Sequence, residues 1–501
     1  LKSKFGYMNK AILAISFTLL LSACGADKTT ESTTKPSNSV SSEAAEALPE
    51  VELVWYYGQS KAQSDVQTVE DAVNQYLKDN TKLNTKLKLK PVDFGNYDQK
   101  LNAVVAGGEA FDLIWTSNWK FNYEQNAAKG AFLDMQPLLD KYAPKLKESI
   151  KPEYWEDLKV NGKLFAAPNY QIASSQRGMV IQKRFIDKYK LDLSTIKSTK
   201  DVEPFLELLK KSEPDAIPYS GTFIANGYGL EQVNDYLVYR PSDKTFKLVD
   251  KATTSEYKQF VEMKRDWFEK GYINKDEASI KNGLDLRVNG KLVVLDGVTI
   301  SPGGEQSEKK NNGGFDVVAV PITKSQFSGF SSTLTAISRT SKNPERAMML
   351  LELVNSDSKL FNLLSFGVEG KHYTKINDQT VKVNNDAGYA PNAAWIFGNV
   401  TNGFLVEGQP ADTWEATKKM NDAAEMKELQ GFKIDPEPIK TWMANRKAVE
   451  DEFTKALDSG SVDPNVYLQQ YIDKVQKSGS EQLIAEVQRQ LDAWLQEKGK
   501  K

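Results

Sequence analysis

The chain of 501 residues contains one cysteine, Cys24, and one histidine, His372. With no second cysteine there is no intramolecular disulfide, and His372 alone cannot assemble a His or Cys metal cluster or a Cys-His nucleophile. A Ser-His-Asp triad would have to use His372, which sits in "FGVEGKHYTK" beside Gly370 and Lys371 and is expected at a surface turn rather than in a catalytic centre. An oxygen-only calcium site stays open, although no Asp-x-Asp-x-Asp loop appears, and no cofactor is expected. Charge of one sign is also missing: the formal net charge is −2, with lysines and acids interspersed, so there is no electrostatic case for nucleic acid or anionic lipid as a partner. No repeat of fixed period is visible. The apolar run Ala11 to Ala23 falls short of the roughly 20 residues that a bilayer-spanning helix needs.

That run is nevertheless informative. Lys2, Lys4 and Lys10 precede it and the small residues Ser22 and Ala23 close it, the layout of a secretory signal over residues 1–23, with Met8 the expected start. Leu21-Ser22-Ala23-Cys24 resembles the bacterial lipobox, in which cleavage exposes the cysteine for acylation. Several acyl chains on Cys24 would tether the protein to the outer face of the cell membrane, at about 0.8 kcal/mol per buried CH₂. Residues 24–48 are Ser, Thr, Glu, Lys and Ala with almost no large apolar side chain, a flexible leash spanning on the order of 27 Å.

The remaining chain exceeds what one hydrophobic core usually serves, so two or more lobes are expected. "VELVWYY" (51–57), "KLKLKPVDF" and "FDLIWTSNW" read as strands, separated by helical patterns such as Val66, Val69, Val73, Tyr76 and Leu77 behind the cap candidates Ser64 and Asp65. This β-α-β-α-β rhythm predicts a largely parallel sheet, whose ligands bind outside the carboxyl ends of the strands. The loops Gly58-Gln59-Ser60 and Thr116-Ser117-Asn118-Trp119 then face one crevice. "KLFAAPNYQ" (163–171) and "GKLVVLDG" (290–297) are expected to cross between lobes, "FDVVAVP" (315–321) and "FSSTLTAIS" (330–338) add strands, and the rest is mostly helical, notably 344–354, 441–457 and 481–495.

In this order, the lipobox, the leash, "YYG", "GGEAFDLIW", "NGKLFAAPNYQ" and "NGKLVVLDG" resemble the extracellular solute-binding lipoproteins of ABC importers, in the sugar-binding group that includes maltose-binding protein. "LLSFGVEGKHYTK", "WIFGNV", "FKIDPEPIKT" and "IAEVQRQLDAWL" are similar to a Gram-positive branch with its own C-terminal domain. The resemblance implies a type II two-lobe α/β fold with hinged lobes around a ligand cleft. Lobe one is expected over 49–172 plus 296–326, and lobe two over 173–295 plus 327–501 including the helical C-terminal region, with crossings near Tyr170, Asp296 and Gln326. It implies an extracytoplasmic, non-enzymatic binding protein that works as a monomer, captures a carbohydrate and delivers it to ABC permease subunits.

A carbohydrate site wants flat aromatic rings against the CH faces of the sugar and hydrogen-bonding groups around the rim. The aromatic candidates are Tyr57, Trp119 and Tyr170 from lobe one and its hinge, and Trp395, Phe397 and Trp414 from lobe two; Trp115, inside a strand, reads as core. Trp119 and Trp395 stand out because Asn118 and Asn399 flank them, and they are expected to face each other across the cleft. Gln59, Asn118, Gln171, Asp296 and Asn399 are the polar candidates, although Asp296-Gly297 is also a common turn pair. Two other classes remain open. A surface-anchored glycan hydrolase or lyase needs two carboxyls about 5 to 9.5 Å apart, and a peptide-binding lipoprotein would favour charged groups over stacking rings.

Overall fold

The computed structural model describes residues 48–280 and 284–499. The signal segment, Cys24 and the leash up to residue 47 lie outside the described residues. No helix among those described is long and apolar enough to cross a membrane.

Two five-stranded main sheets organise the chain. The first has the order Thr85–Asp93, Val51–Gln59, Leu113–Thr116, Leu334–Ile337, Ala166–Pro168. Its first three strands are parallel, with Val51 opposite Thr85 and Trp55 opposite Leu113, and Leu334–Ile337 runs antiparallel to both of its neighbours. Alternation in "TKLKLK" sends Leu87 and Leu89 into the core and Lys86 and Lys90 to solvent, whereas Leu113 to Thr116 are buried throughout, as befits a central strand covered on both faces. The second sheet has the order Val317–Pro321, Ser174–Gln182, Leu292–Ile300, Ile217–Ser220, and Gln326–Phe327 also pairs with the start of Ser174–Gln182.

This pairing redraws the expected division. Leu292–Ile300 and Val317–Pro321 belong to the second sheet, against the placement of 296–326 in lobe one. Leu334–Ile337 closes the first sheet, and Trp395, Phe397 and Trp414 pack against the first core, against the placement of everything after 327 in lobe two. The reason lies in the Asp-Gly pair. It is a β-bulge within the nine-residue strand Leu292–Ile300, where the register shifts between Asp296 and Val298, and not a point of departure between lobes. Gly297 there has φ +82°, and a Cβ on it would lie 2.3 Å from the Thr222 hydroxyl.

The chain passes between the two sheets three times: at 169–173, around Gln326–Phe327, and around Glu425. These segments lie side by side. Phe327 pairs with Ser174, its N–H donates to the Glu425 carbonyl at 2.9 Å, and the Glu425 N–H donates to Ser325 at 2.9 Å. Asn421 ties the bundle: its amide oxygen accepts from the Ala173 N–H (2.9 Å) and the Ser174 hydroxyl (3.1 Å), and its amide nitrogen donates to the Gln171 carbonyl (2.8 Å). Tyr170 and Gln326 lie at these crossings, and Asp296 does not.

The C-terminal helices Lys440–Ser459, Pro464–Lys477 and Ser480–Glu497 sit on the second body. Phe453, Leu457, Leu468, Tyr471 and Val475 join its core, and the stripe Leu483, Val487, Leu491, Leu495 covers Tyr236, Leu237, Tyr239 and Leu248. Arg446 is fully buried and grips Asp250 with two hydrogen bonds of 2.8 and 3.0 Å, while Tyr471 and Ser480 complete the network.

Candidate functional site

The carboxyl ends of Val51–Gln59, Thr85–Asp93, Leu113–Thr116 and Ala166–Pro168 meet the start of Leu334–Ile337 on one edge of the first sheet. Trp119 lies three residues past its strand. It is 54% exposed, and its indole N–H donates to the Ser332 carbonyl at 2.9 Å, which fixes the ring. The Asn118 N–H donates to Ser331 at 2.7 Å, leaving the exposed Asn118 side chain on the rim. Trp395 reaches the same edge from the turn Ala394–Ile396, held by a buried polar network. The Thr333 hydroxyl donates to the Trp395 carbonyl (2.8 Å) and accepts from the Trp115 indole N–H (2.8 Å), and Asn169 donates to the Ile396 carbonyl (2.6 Å).

The rings form one cluster. Trp119 and Trp395 have centroids 6.3 Å apart at 52°, Phe94 stacks on Trp395 at 6.1 Å and 5°, and Trp115 lies beneath all three. The two tryptophans expected to oppose each other across a cleft therefore stand side by side on one body. Phe94 was not among the candidates. It follows the last residue of the second strand, and its ring occupies the space over Gly58, where a Cβ would come within 2.2 Å of it. The sequence signal that could have found it is the same carboxyl-end rule, applied to the second strand as well as the first and third.

Behind Trp395 opens a cavity of about 420 Å³. Gln171 and Ile172 of the first crossing, Ser365 and Phe366, Val400, Phe404 and Trp414 line it, and Ser301 and Pro302 reach in from the second body. Trp414 is a wall and not a donor toward the cavity, since its indole N–H donates to the Gly403 carbonyl at 2.8 Å. No ionisable side chain is among the described residues that line it.

The structure withdraws the other candidates from the surface. Tyr57 and Phe397 are core rings packed edge to face at 4.9 Å, and burial pushes the Tyr57 hydroxyl well above its ordinary range. Tyr170 is buried against Phe330, and burial raises its hydroxyl as well. Gln59 is buried, with its amide nitrogen donating to Asp93 at 2.8 Å. Asn399 caps the turn Val400–Asn402 by accepting from the Thr401 N–H and hydroxyl. Asp296 is 2% exposed; its carboxylate accepts from Thr199 (2.6 Å), Tyr219 (3.1 Å) and the Gly297 N–H (2.7 Å), and burial raises its pKa.

His372, expected at a surface turn, is fully buried. Its Nδ1 accepts from the Val368 N–H at 2.9 Å, which leaves Nε2 to donate to Asp65 at 2.8 Å. Asp65 serves as this anchor rather than as a side-chain helix cap. Lys371, Thr68 and His372 hold its carboxyl well below the usual carboxylate range.

The chain belongs to the bacterial extracellular solute-binding protein family, whose profile covers residues 63–359, and residues 428–496 match a domain of unknown function, DUF3502. It is 28% identical over 361 residues, 69% of this chain and 71% of the relative, to a carbohydrate ABC transporter substrate-binding protein of Streptococcus pneumoniae serotype 4 (strain ATCC BAA-334 / TIGR4). It is 24% identical over 315 residues, 58% of this chain and 61% of the relative, to lipoprotein LipO of Bacillus subtilis (strain 168). The crystal structure of the N-glycan transport solute binding protein NgtS from Streptococcus pneumoniae superposes with a TM-score of 0.71 at 24% identity, covering 89% of this chain and 99% of that one. The fold is the type II solute-binding fold implied by the sequence motifs.

Proposed function

We propose that this protein captures a neutral oligosaccharide on the Phe94–Trp119–Trp395 shelf and delivers it to an ABC permease. The observation that carries this reading is the half-exposed Trp119 ring, locked by its own N–H bond and backed by two further rings at the carboxyl edge of a parallel sheet. Such a platform matches the CH face of a pyranose, and the exposed amide of Asn118 and the half-buried one of Gln171 supply rim contacts. Membership of a solute-binding family and the carbohydrate relative support the same reading.

In this reading the two sheet bodies are the lobes, the three crossings are the hinge, and Cys24 carries the lipid anchor, as the likeness to a lipoprotein supports. Binding occurs without turnover. Membership of a solute-binding family supports this part of the reading. Titration of purified protein with neutral oligosaccharides should shift tryptophan fluorescence without releasing new reducing ends. Catalytic release of reducing ends, or no response to any oligosaccharide, would sink the proposal.

A further inference from the structure

A cavity of about 520 Å³, within the range of small-molecule sites of about 300 to 1,000 Å³, lies where the first body meets the C-terminal region. The helix Pro152–Asp157 and the turn after it form one wall, and the stretch 426–433 with Trp494 of the last helix forms the other. Gln430 donates to Asp157 at 2.9 Å and Lys433 pairs with Glu124, so the walls are bridged beside open space. The lining carries four carboxyls and four lysines, a balance that suits a neutral polar ligand better than an ion of either sign. Carboxylates are the strongest acceptors for sugar hydroxyls, lysines return hydrogen bonds to hydroxyl oxygens, and the half-buried Trp494 ring, braced by Phe432 at 5.8 Å, adds an aromatic surface. Asp157 is half-buried and Glu153 exposed, so both keep accessible surface. A second observation ties this cavity to the shelf. Glu124 stands two residues past Asn122, whose amide donates to the Asn118 carbonyl at 3.1 Å. Asp157 stands against Gly329, where a Cβ would lie 3.3 Å from its carboxylate, and Ser331, two residues on, accepts from the Asn118 N–H. The segments 118–124 and 329–332 thus connect the Trp119 ring with the first wall.

Resting on the oligosaccharide reading, we propose that this cavity is a distal subsite of the glycan site, in which the C-terminal domain reads the far end of a chain longer than a disaccharide. The ligand runs from the Phe94–Trp119–Trp395 shelf past Asn118 into the space between Asp157 and Trp494. Hydroxyls there donate to Asp157 and Glu153, Lys427 donates to a hydroxyl oxygen, and the Trp494 ring meets a CH face. The matched domain at 428–496 then has a recognition role. Its wall and the opposite one belong to different bodies, so a ligand touching both favours the arrangement that holds them together.

Calorimetric titration of the full chain with cello-, malto-, manno- and xylo-oligosaccharides, each from disaccharide to hexasaccharide, tests this. In at least one series the longest member should bind with one ligand per chain and at least about tenfold more tightly than the disaccharide, the increment that one hydrogen bond to a carboxylate can supply. Asp157→Asn, which keeps an acceptor for Gln430 but removes the carboxylate, should bring that ratio close to one. Trp494→Leu should do so from the C-terminal wall, and Met426→Trp, which fills the space from a position 40% exposed, should do so by exclusion. Equal affinity at every length, two independent ligands per chain, or a length gain that survives all three substitutions overturns the distal subsite while oligosaccharide capture stands. Absence of binding across the whole panel by natively folded protein overturns both.

Discussion

The two parallel-strand edges of this molecule end in opposite ways. On the first body, strands finish in side chains with nothing laid over them: Trp119 is exposed, Phe94 and Trp395 are half-covered, and the Trp119 indole N–H is fixed by the Ser332 carbonyl. On the second body the comparable place, where Ile217–Ser220 ends beside Asp296 of the neighbouring strand, closes on itself. Asp296 is saturated by Thr199, Tyr219 and Gly297, and the buried Lys264 donates to the Gly221 carbonyl at 2.9 Å with the Tyr219 ring 4.9 Å away. Nearby Asp458 accepts the Tyr257 hydroxyl at 2.7 Å. One topological position thus serves recognition in one body and stability in the other.

Substitutions should separate these two uses. Asp296→Ala leaves two buried hydroxyls and an N–H without their acceptor, so it should lower unfolding free energy by about 3 kcal/mol or more; denaturant titration should register this while the folded fraction keeps its sugar affinity. Trp119→Ala should do the reverse, costing about 2 kcal/mol of binding, roughly thirtyfold in Kd, with a melting temperature close to that of the parent. If Trp119→Ala destabilised as much as Asp296→Ala, the contrast between the edges would fail.

A pH experiment sharpens the buried side. Burial pushes Asp458 up to about 6 from 3.8, so the folded state holds its proton more tightly than the unfolded chain does. The stability this contributes is fully present below pH 3.8 and is lost as pH rises through about 6. Asp458→Asn lacks that loss, so the stability of the variant relative to the parent should grow between about pH 4 and 6 and level off above. A constant difference over that window would show that Asp458 titrates alike in the folded and unfolded chain, with no raised pKa. The smallest effect is expected at Lys433→Ala, which removes an exposed ion pair with Glu124 between the C-terminal segment and the first body; thermal unfolding should change by less than about 1 kcal/mol.

Much of this was legible in the sequence, for local reasons. The Leu-Lys alternation of 85–90 and the helical stripe 483–495 report their own buried faces. Trp119 could be singled out because it follows a short strand of Leu-Ile-Trp-Thr and has polar neighbours. What misled was decided by distant partners. An Asp-Gly pair looks the same in a turn and in a bulge, and only the pairing of Leu292–Ile300 with Ser174–Gln182 on one side and Ile217–Ser220 on the other makes Asp296 a buried anchor. His372 beside Gly370 looks exposed until Asp65, 307 positions away, is placed against it. Tyr57 and Phe397 each look available alone, and bury each other when brought together.

The Leu334–Ile337 strand has a consequence for how the chain acquires its structure. It fills the gap between Leu113–Thr116 and Ala166–Pro168, and the indole of Trp115 bonds to Thr333, 218 residues later. A chain emerging amino end first therefore carries a wholly buried central strand, paired only on its Val51–Gln59 side, through the whole synthesis of the second body. Contacts of such separation slow folding and leave a sticky edge exposed meanwhile. Early collapse of the second body cannot relieve this, because the missing strand lies beyond it. Refolding from denaturant should accordingly show the burial of Trp115 as a late event.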